Sequence, residues 1–237
     1  MMPESMREKV DTFVATTDLT KFYRQYDWKN DHWKDGFREI LQLERSLTSA
    51  ARNQRITRSH ILGIAQWGGL PNVERIRCYK DPLLMPLYDG KEISDAVKND
   101  PVIAVRILKQ QTAGIGPTYI SKVLRFAAPA QFGAIDSRLV RVFGFGDEKS
   151  RKMQIMNLNA SQAKGGRWFI GPDNWPGEYG TWITILNHIA GILNSSEISC
   201  PHPNQFVTAE LRQQGTWLPA DVEMALFSYA SQAIYGK

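Results

Sequence analysis

Apolar residues recur three and four positions apart along most of this chain, and glycines, prolines and capping polar residues interrupt the recurrence. That spacing predicts helices. Phe37, Ile40, Leu41, Leu43 and Leu47 make one apolar face. Ile61, Leu62, Ile64 and Ala65 make a second, with Thr57 placed to cap it and Gly68-Gly69 ahead of Pro71 to end it. Short helices are predicted over Arg75 to Tyr79 and Ile93 to Lys98, on either side of a loop carrying Pro82 and Pro86. Asp100-Pro101 then reads as a cap followed by proline at the first helical position, opening an apolar run from Val102 to Leu108. Near the end of the chain, Trp182, Ile185, Leu186, Ile189 and Leu193 form one face, and Val222, Ala225, Leu226, Tyr229, Ala233 and Ile234 another. Asp221 heads the latter, where a carboxylate suits the helix dipole. The predicted fold class is mainly α. The exception is a glycine-punctuated stretch after Phe143, in which Met153 to Leu158 and Arg167 to Ile170 are expected to pair as a small β-hairpin insertion near 150–172.

The pattern is most informative between Gln111 and Phe143. The run from Val102 stops at Gly114-Ile115-Gly116, and Pro117 restarts the chain as a helix whose core face is Ile120, Val123, Leu124, Ala127 and Ala128. Thr118, Ser121, Lys122 and Arg125 form the opposite stripe, expected to be polar and exposed. Two glycines around one aliphatic residue permit a tight turn that presents backbone amides at a helix N-terminus, which is an anion site. Asp136 stands just ahead of a further helical run, Leu139, Val140, Val142 and Phe143, with Arg138 and Arg141 on its polar side. By itself Asp136 reads as an N-cap, worth about 1 kcal/mol.

Gly114-Ile115-Gly116, Ile135-Asp136 and Arg141-Val142, in this order and spacing, resemble the helix-hairpin-helix DNA glycosylases, the family of endonuclease III, the adenine glycosylase of mismatch repair and the 8-oxoguanine glycosylases. The resemblance implies a bilobal helical fold. One lobe would span 55–129 and end in the helix-hairpin-helix, and 1–54 with 130–237 would form the other. It also implies that Asp136 is catalytic and that Gly114, Gly116, Thr118, Lys122 and Arg125 bind DNA. Family hairpins often hold a monovalent cation through backbone carbonyls. No cofactor is otherwise required. The chain departs from the pattern at Thr112-Ala113, where Leu-Pro usually precedes the hairpin, and at Ile120, where a small residue is usual. Thr118 occupies the position of the nucleophilic lysine of bifunctional members, so no Schiff base can start there. Monofunctional members also lack that lysine and keep the Asp, which implies base removal without strand cleavage. Lys122, one turn later, is either a displaced nucleophile or a solvated or phosphate-contacting lysine.

Gln66-Trp67 resembles the family's base pocket, an amide to read a base edge beside a ring to stack on; the alternative is an exposed helix end and a core tryptophan. Tyr26-Asp27-Trp28 reads as a surface loop, its aromatics either packed as core or free to stack on bases. The glycine-rich insertion carries Lys149, Arg151, Lys152, Lys164 and Arg167 among Trp168, Phe169 and Trp175, a composition that suits either a nucleic-acid backbone or a solvated excursion.

Composition narrows these choices modestly. The 237 residues, 43% hydrophobic, are enough for one large domain or two small lobes, and a formal charge of +5 favours polyanionic partners. Two cysteines, Cys78 and Cys200, imply no disulfide framework and cannot supply the four ligands of an endonuclease III-type iron-sulfur cluster. Cys200 and His202 have no second ligand pair at zinc-site spacing, so no metal site is expected. Without a signal-like start or a run of about 20 apolar residues, a soluble, cytoplasmic monomer is expected, with no membrane association. The predicted activity is therefore a monofunctional DNA glycosylase that flips a damaged or modified base out of duplex DNA and leaves an abasic site. Repair and defence against viruses with modified genomes fit equally. The alternatives are a non-catalytic helix-hairpin-helix DNA-binding protein and a bifunctional glycosylase/lyase using Lys122.

Overall fold

The computed structural model describes residues 2–88 and 92–236. The architecture is mainly helical. Helices α1 (Glu4–Thr16) and α2 (Leu19–Arg24) lead to a two-stranded ribbon, β1 (Asp27–Trp28) and β2 (Asp31–His32), and then to α3 (Arg38–Arg52) and α4 (Arg58–Trp67). After β3 (Arg77–Cys78) come α5 (Glu92–Asn99), α6 (Pro101–Gln111), β4 (Thr112–Ala113) and α7 (Pro117–Ala127). The chain continues through α8 (Ser137–Phe143), the ribbon β5 (Ala160–Gln162) and β6 (Trp168–Ile170), and α9 (Gly177–Ser195), α10 (Asn204–Thr208) and α11 (Pro219–Tyr235). None of the described helices is long and apolar enough to cross a membrane.

The predicted capping chemistry accounts for where several helices begin. Thr57 and His60 form a reciprocal capping box on α4, the Asp100 carboxylate accepts the Val102 amide at 3.0 Å with Pro101 at the first helical position, and Gly116 precedes Pro117 in the same way on α7. Two local predictions need correction. Arg75 to Tyr79 is not a helix: after a single turn at Val73–Arg75, Arg77 and Cys78 pair with Ala113 and Thr112, giving the extended chain ahead of the glycine turn a backbone partner. Met153 to Leu158 is not a strand either. The amides of Lys152 and Met153 bond to the Val142 carbonyl and that of Ile155 to the Phe143 carbonyl, so this segment covers the open C-terminal end of α8. The insertion's ribbon instead joins Ala160–Gln162 to Trp168–Ile170.

The larger difference concerns α7, which packs against α3, α4 and α6 and is buried at every position from Tyr119 to Ala127. Ser121, Lys122 and Arg125 of its expected polar stripe therefore lie inside, and Thr118 stays half-buried. Ser121 is fully buried and Arg125 is 2% exposed, its guanidinium 2.9 Å from Glu44 on α3. Arg125 is thus a core cation and cannot meet a phosphate. It belongs to a buried network in which Arg212 also pairs with Glu44 and contacts both oxygens of Asp221 at 2.8 and 3.0 Å, and in which His202 meets Asp221 at 3.2 Å. Burying this many charges requires that each find a partner, and here α3, α7, α11 and the segments carrying His202 and Arg212 supply partners to one another.

Candidate active site

Asp136 lies at the junction of a groove and a recess. The groove, about 570 Å³, runs along Gly116 to Tyr119 at the start of α7, Asp136 to Arg138 at the start of α8, and Gly166 to Ile170 of the insertion ribbon. The recess opens beside Asp136, Trp28 and Lys122, which line both spaces, and continues to Trp67, Arg125, Glu223 and Phe227. Its free volume is about 20 Å³, enough for one water and too small for a base without side-chain movement.

The loop that carries Asp136 is fixed by its neighbours. Tyr179 and Trp182 of α9 donate to the carbonyls of Gly133 and Ala134 at 3.1 and 2.9 Å. The Ser121 hydroxyl accepts the Ile135 amide at 3.0 Å and donates to the Thr118 carbonyl at 2.9 Å, tying Asp136 to the helix that follows the glycine turn. Gly133 has no alternative here, because a Cβ would stand 2.9 Å from that of Glu223 and nearer still to Leu186. Asp136 then caps α8 through one oxygen: Oδ1 accepts the amides of Arg138 and Leu139 at 2.9 and 3.1 Å. Among the described residues none donates to Oδ2. The cap and a chemical role are therefore compatible, since they use different oxygens of one carboxylate.

The glycine turn divides its labour. Gly114 has φ +82°, and a Cβ there would sit 2.6 Å from the Arg75 carbonyl oxygen, so only glycine fits. Gly116 has φ −98°, and a Cβ added there would meet nothing within 4 Å; its smallness serves no internal contact and leaves space in front of the α7 N-terminus. Pro117 and Thr118 are half-buried at the groove's edge.

Lys122, on the stripe expected to face outward, is instead 9% exposed. Its Nζ lies 4.9, 5.1 and 5.6 Å from the ring centroids of Trp67, Trp28 and Tyr119, a cage that favours a cation through the ring quadrupoles. Burial lowers its pKa below the usual lysine value, although Asp136 and Glu223 pull it upward. The cage is rigid. Trp67 Nε1 donates to Asp31 Oδ2 at 2.7 Å, Trp28 Nε1 to the Trp67 carbonyl at 3.2 Å, and the Tyr119 hydroxyl to the Gly68 carbonyl at 3.0 Å. Trp67 is 9% exposed and lines the recess. Gln66 does not: its side chain is exposed on a separate shallow surface, and its carbonyl accepts from Lys29 at 3.1 Å and from the Gly69 amide at 3.0 Å.

Arg141 is committed inside the protein. It grips Asp147 through Nε at 3.0 Å and a terminal nitrogen at 2.6 Å and stacks on Trp168 at 4.3 Å, holding the insertion ribbon against the groove. Arg138 lies across Trp28 and Phe227 at 5.1 and 4.8 Å, while Arg167 and Phe169 remain exposed on the ribbon side. The insertion thereby becomes one wall of the groove.

Sequence reasoning missed Glu223, Phe227 and Tyr26 as recess residues. Glu223 falls outside the apolar stripe read for α11, but that helix is buried all round from Pro219 to Ser228, so its polar positions face the interior too. Within Tyr26-Asp27-Trp28, Tyr26 is packed at 6% exposure, Asp27 is exposed, and Trp28 is half-buried where the recess meets the groove. Asp221 joins Cys200 and His202 in a buried cluster whose ligand-type atoms lie within 4.8 Å of one another. Its chemistry is that of an ion pair, because Arg212 contacts both Asp221 oxygens and burial pushes the Cys200 thiol far above its ordinary pKa.

Comparison of this chain with protein-family models, with curated proteins and with solved structures finds no match.

Proposed function

We propose that the protein is a DNA glycosylase of the helix-hairpin-helix type, which draws a damaged or modified base out of a duplex and hydrolyses its N-glycosidic bond. One observation carries this reading: a carboxylate fixed by a cap through one oxygen, with the other uncommitted, at the mouth of an aromatic recess and in the same groove as a glycine turn. Cleavage of that bond develops positive charge on the sugar. A fixed carboxylate stabilises the charge and orients or deprotonates the attacking water. The strand lies along the groove, its phosphates on the Gly116 and Thr118 amides at the start of α7 and on Arg138 and Arg167. The extruded base displaces Lys122 from the rings of Trp28, Trp67 and Tyr119, which widens the recess.

A second reading is favoured by the position of Lys122. A buried amine with a lowered pKa, in the same recess as Asp136, has the properties of a nucleophile that attacks the sugar and forms a Schiff base. Incubation with duplexes each carrying one modified base separates these outcomes. Abasic sites revealed only by alkali support hydrolysis, a borohydride-trapped covalent adduct lost in Lys122→Met supports the lysine route, and retention of DNA without base release refutes both in favour of a binding module.

A further inference from the structure

The recess contains a second carboxyl that the hydrolytic scheme does not use. Glu223, on α11, is 6% exposed and lines the recess with Asp136. It shares its nearest cation: the Arg125 guanidinium is bonded to Glu44 at 2.9 Å, and its Nε makes a longer ion pair with Glu223 Oε2 at 3.7 Å, beyond a hydrogen bond. The other groups facing it are Lys122 from α7, Asp136 ahead of α8, the Ala134 backbone amide, and the phenols of Tyr26 and Tyr179. Burial raises its pKa to about 7; Arg125 opposes that shift and the Asp136 charge adds to it. At neutral pH a substantial fraction of Glu223 therefore carries its proton, in the same recess that a base would enter.

Resting on the glycosylase reading, we infer that Glu223 is the proton donor to the departing base, and that the substrate is a neutral nucleobase whose release needs that proton. The step balances. Glu223 gives its proton to a ring nitrogen or carbonyl oxygen of the base, the C1′–N bond breaks with its electron pair moving to the base, and the base leaves neutral. Water adds to C1′ and loses a proton to Asp136, which passes it to solvent, and solvent returns a proton to Glu223. A base made cationic by alkylation already has its leaving charge cancelled and gains nothing from the acid. Two carboxyls in unlike surroundings thus divide the work, one as acid and one facing the sugar.

The test uses the intact protein and duplexes carrying 8-oxoguanine, hypoxanthine, uracil or cationic 7-methylguanine, with single-turnover release measured from pH 5 to 9. For a neutral base the rate is expected to fall about tenfold per pH unit above pH 7, and Glu223→Gln is expected to slow release by roughly 10²- to 10⁴-fold and to abolish that limb. Release of 7-methylguanine, where it occurs, is expected to be nearly unaffected. The variant's melting curve establishes that it is folded, and the wild-type pH profile needs no variant at all. Release without the alkaline limb overturns this inference alone, as does a folded Glu223→Gln that works at the wild-type rate. No release from any duplex removes the glycosylase reading and this inference with it.

Discussion

Gly116→Ala separates a glycine kept for binding from one kept for folding. At φ −98° and ψ −174° the backbone of Gly116 is open to any residue, and a Cβ would meet nothing within 4 Å. Alanine there is expected to change stability by less than about 1 kcal/mol, because the entropy it removes from the unfolded chain is offset by its weaker preference for the N-cap position. The added methyl group instead occupies the space in front of the α7 amides. Losing one charge-assisted bond to phosphate costs about 1.5–3 kcal/mol, which weakens binding roughly 10- to 100-fold. Gly114→Ala is the internal comparison. Its φ of +82° and a Cβ 2.6 Å from the Arg75 oxygen impose left-handed strain and a backbone clash, about 2–4 kcal/mol of lost stability. Fluorescence anisotropy of a labelled duplex at fixed salt, with urea unfolding of each variant, reads both effects. A Gly116→Ala protein that keeps both its stability and its DNA affinity would refute the assignment of the turn as a phosphate grip. Equal destabilisation by the two substitutions would refute the division of labour.

Three further outcomes follow from the buried charges. Glu44→Gln leaves Arg125 and Arg212 short of a carboxylate and is expected to cost about 3–5 kcal/mol in urea unfolding, whereas an effect below about 1 kcal/mol would mean that the network is not closed. Burial opposes the charge on Asp221, but Arg212 and His202 hold its pKa down at about 2, below the ordinary 3.8; its folded-state value is the lower one, so it contributes about 2 kcal/mol that is present above pH 4 and lost as pH falls toward 2. Asp221→Asn should flatten that acid limb. Glu223 has the opposite sign: its folded-state pKa of about 7 exceeds the ordinary 4.5, so the protein loses about 3 kcal/mol as pH rises from 4.5 to 7, and Glu223→Gln should remove the loss; a pH-independent difference between variant and wild type contradicts the raised pKa.

Periodicity and caps made much of the helical framework legible. The starts of α4, α6, α7 and α8 follow directly from Thr57, Asp100-Pro101, Gly116-Pro117 and Asp136. Local pattern could not show which polar residues would be taken inside. Ser121, Lys122 and Arg125 occupy a polar helical stripe in sequence, yet α3, α4 and α11 close over them. Arg125 finds its partners in Glu44, 81 residues away along the chain, and Glu223, and Lys122 finds its own in rings carried by the distant Trp28 and Trp67. The β3–β4 pairing was hidden for a related reason, since two-residue strands leave no periodicity to detect. Asp136 and the glycine turn were visible because both depend on short-range geometry. The recess was not, because Trp28, Trp67, Lys122 and Glu223 meet only after the chain has folded.

The most direct measurement compares base release by wild type and Asp136→Asn under single-turnover conditions, with each protein saturating the same modified duplex. Asparagine retains an oxygen to cap α8 but has no charge to offer the sugar, so DNA affinity and melting temperature should persist while release falls by roughly 10³-fold or more. Release at the wild-type rate by a folded, DNA-saturated Asp136→Asn protein would contradict the account.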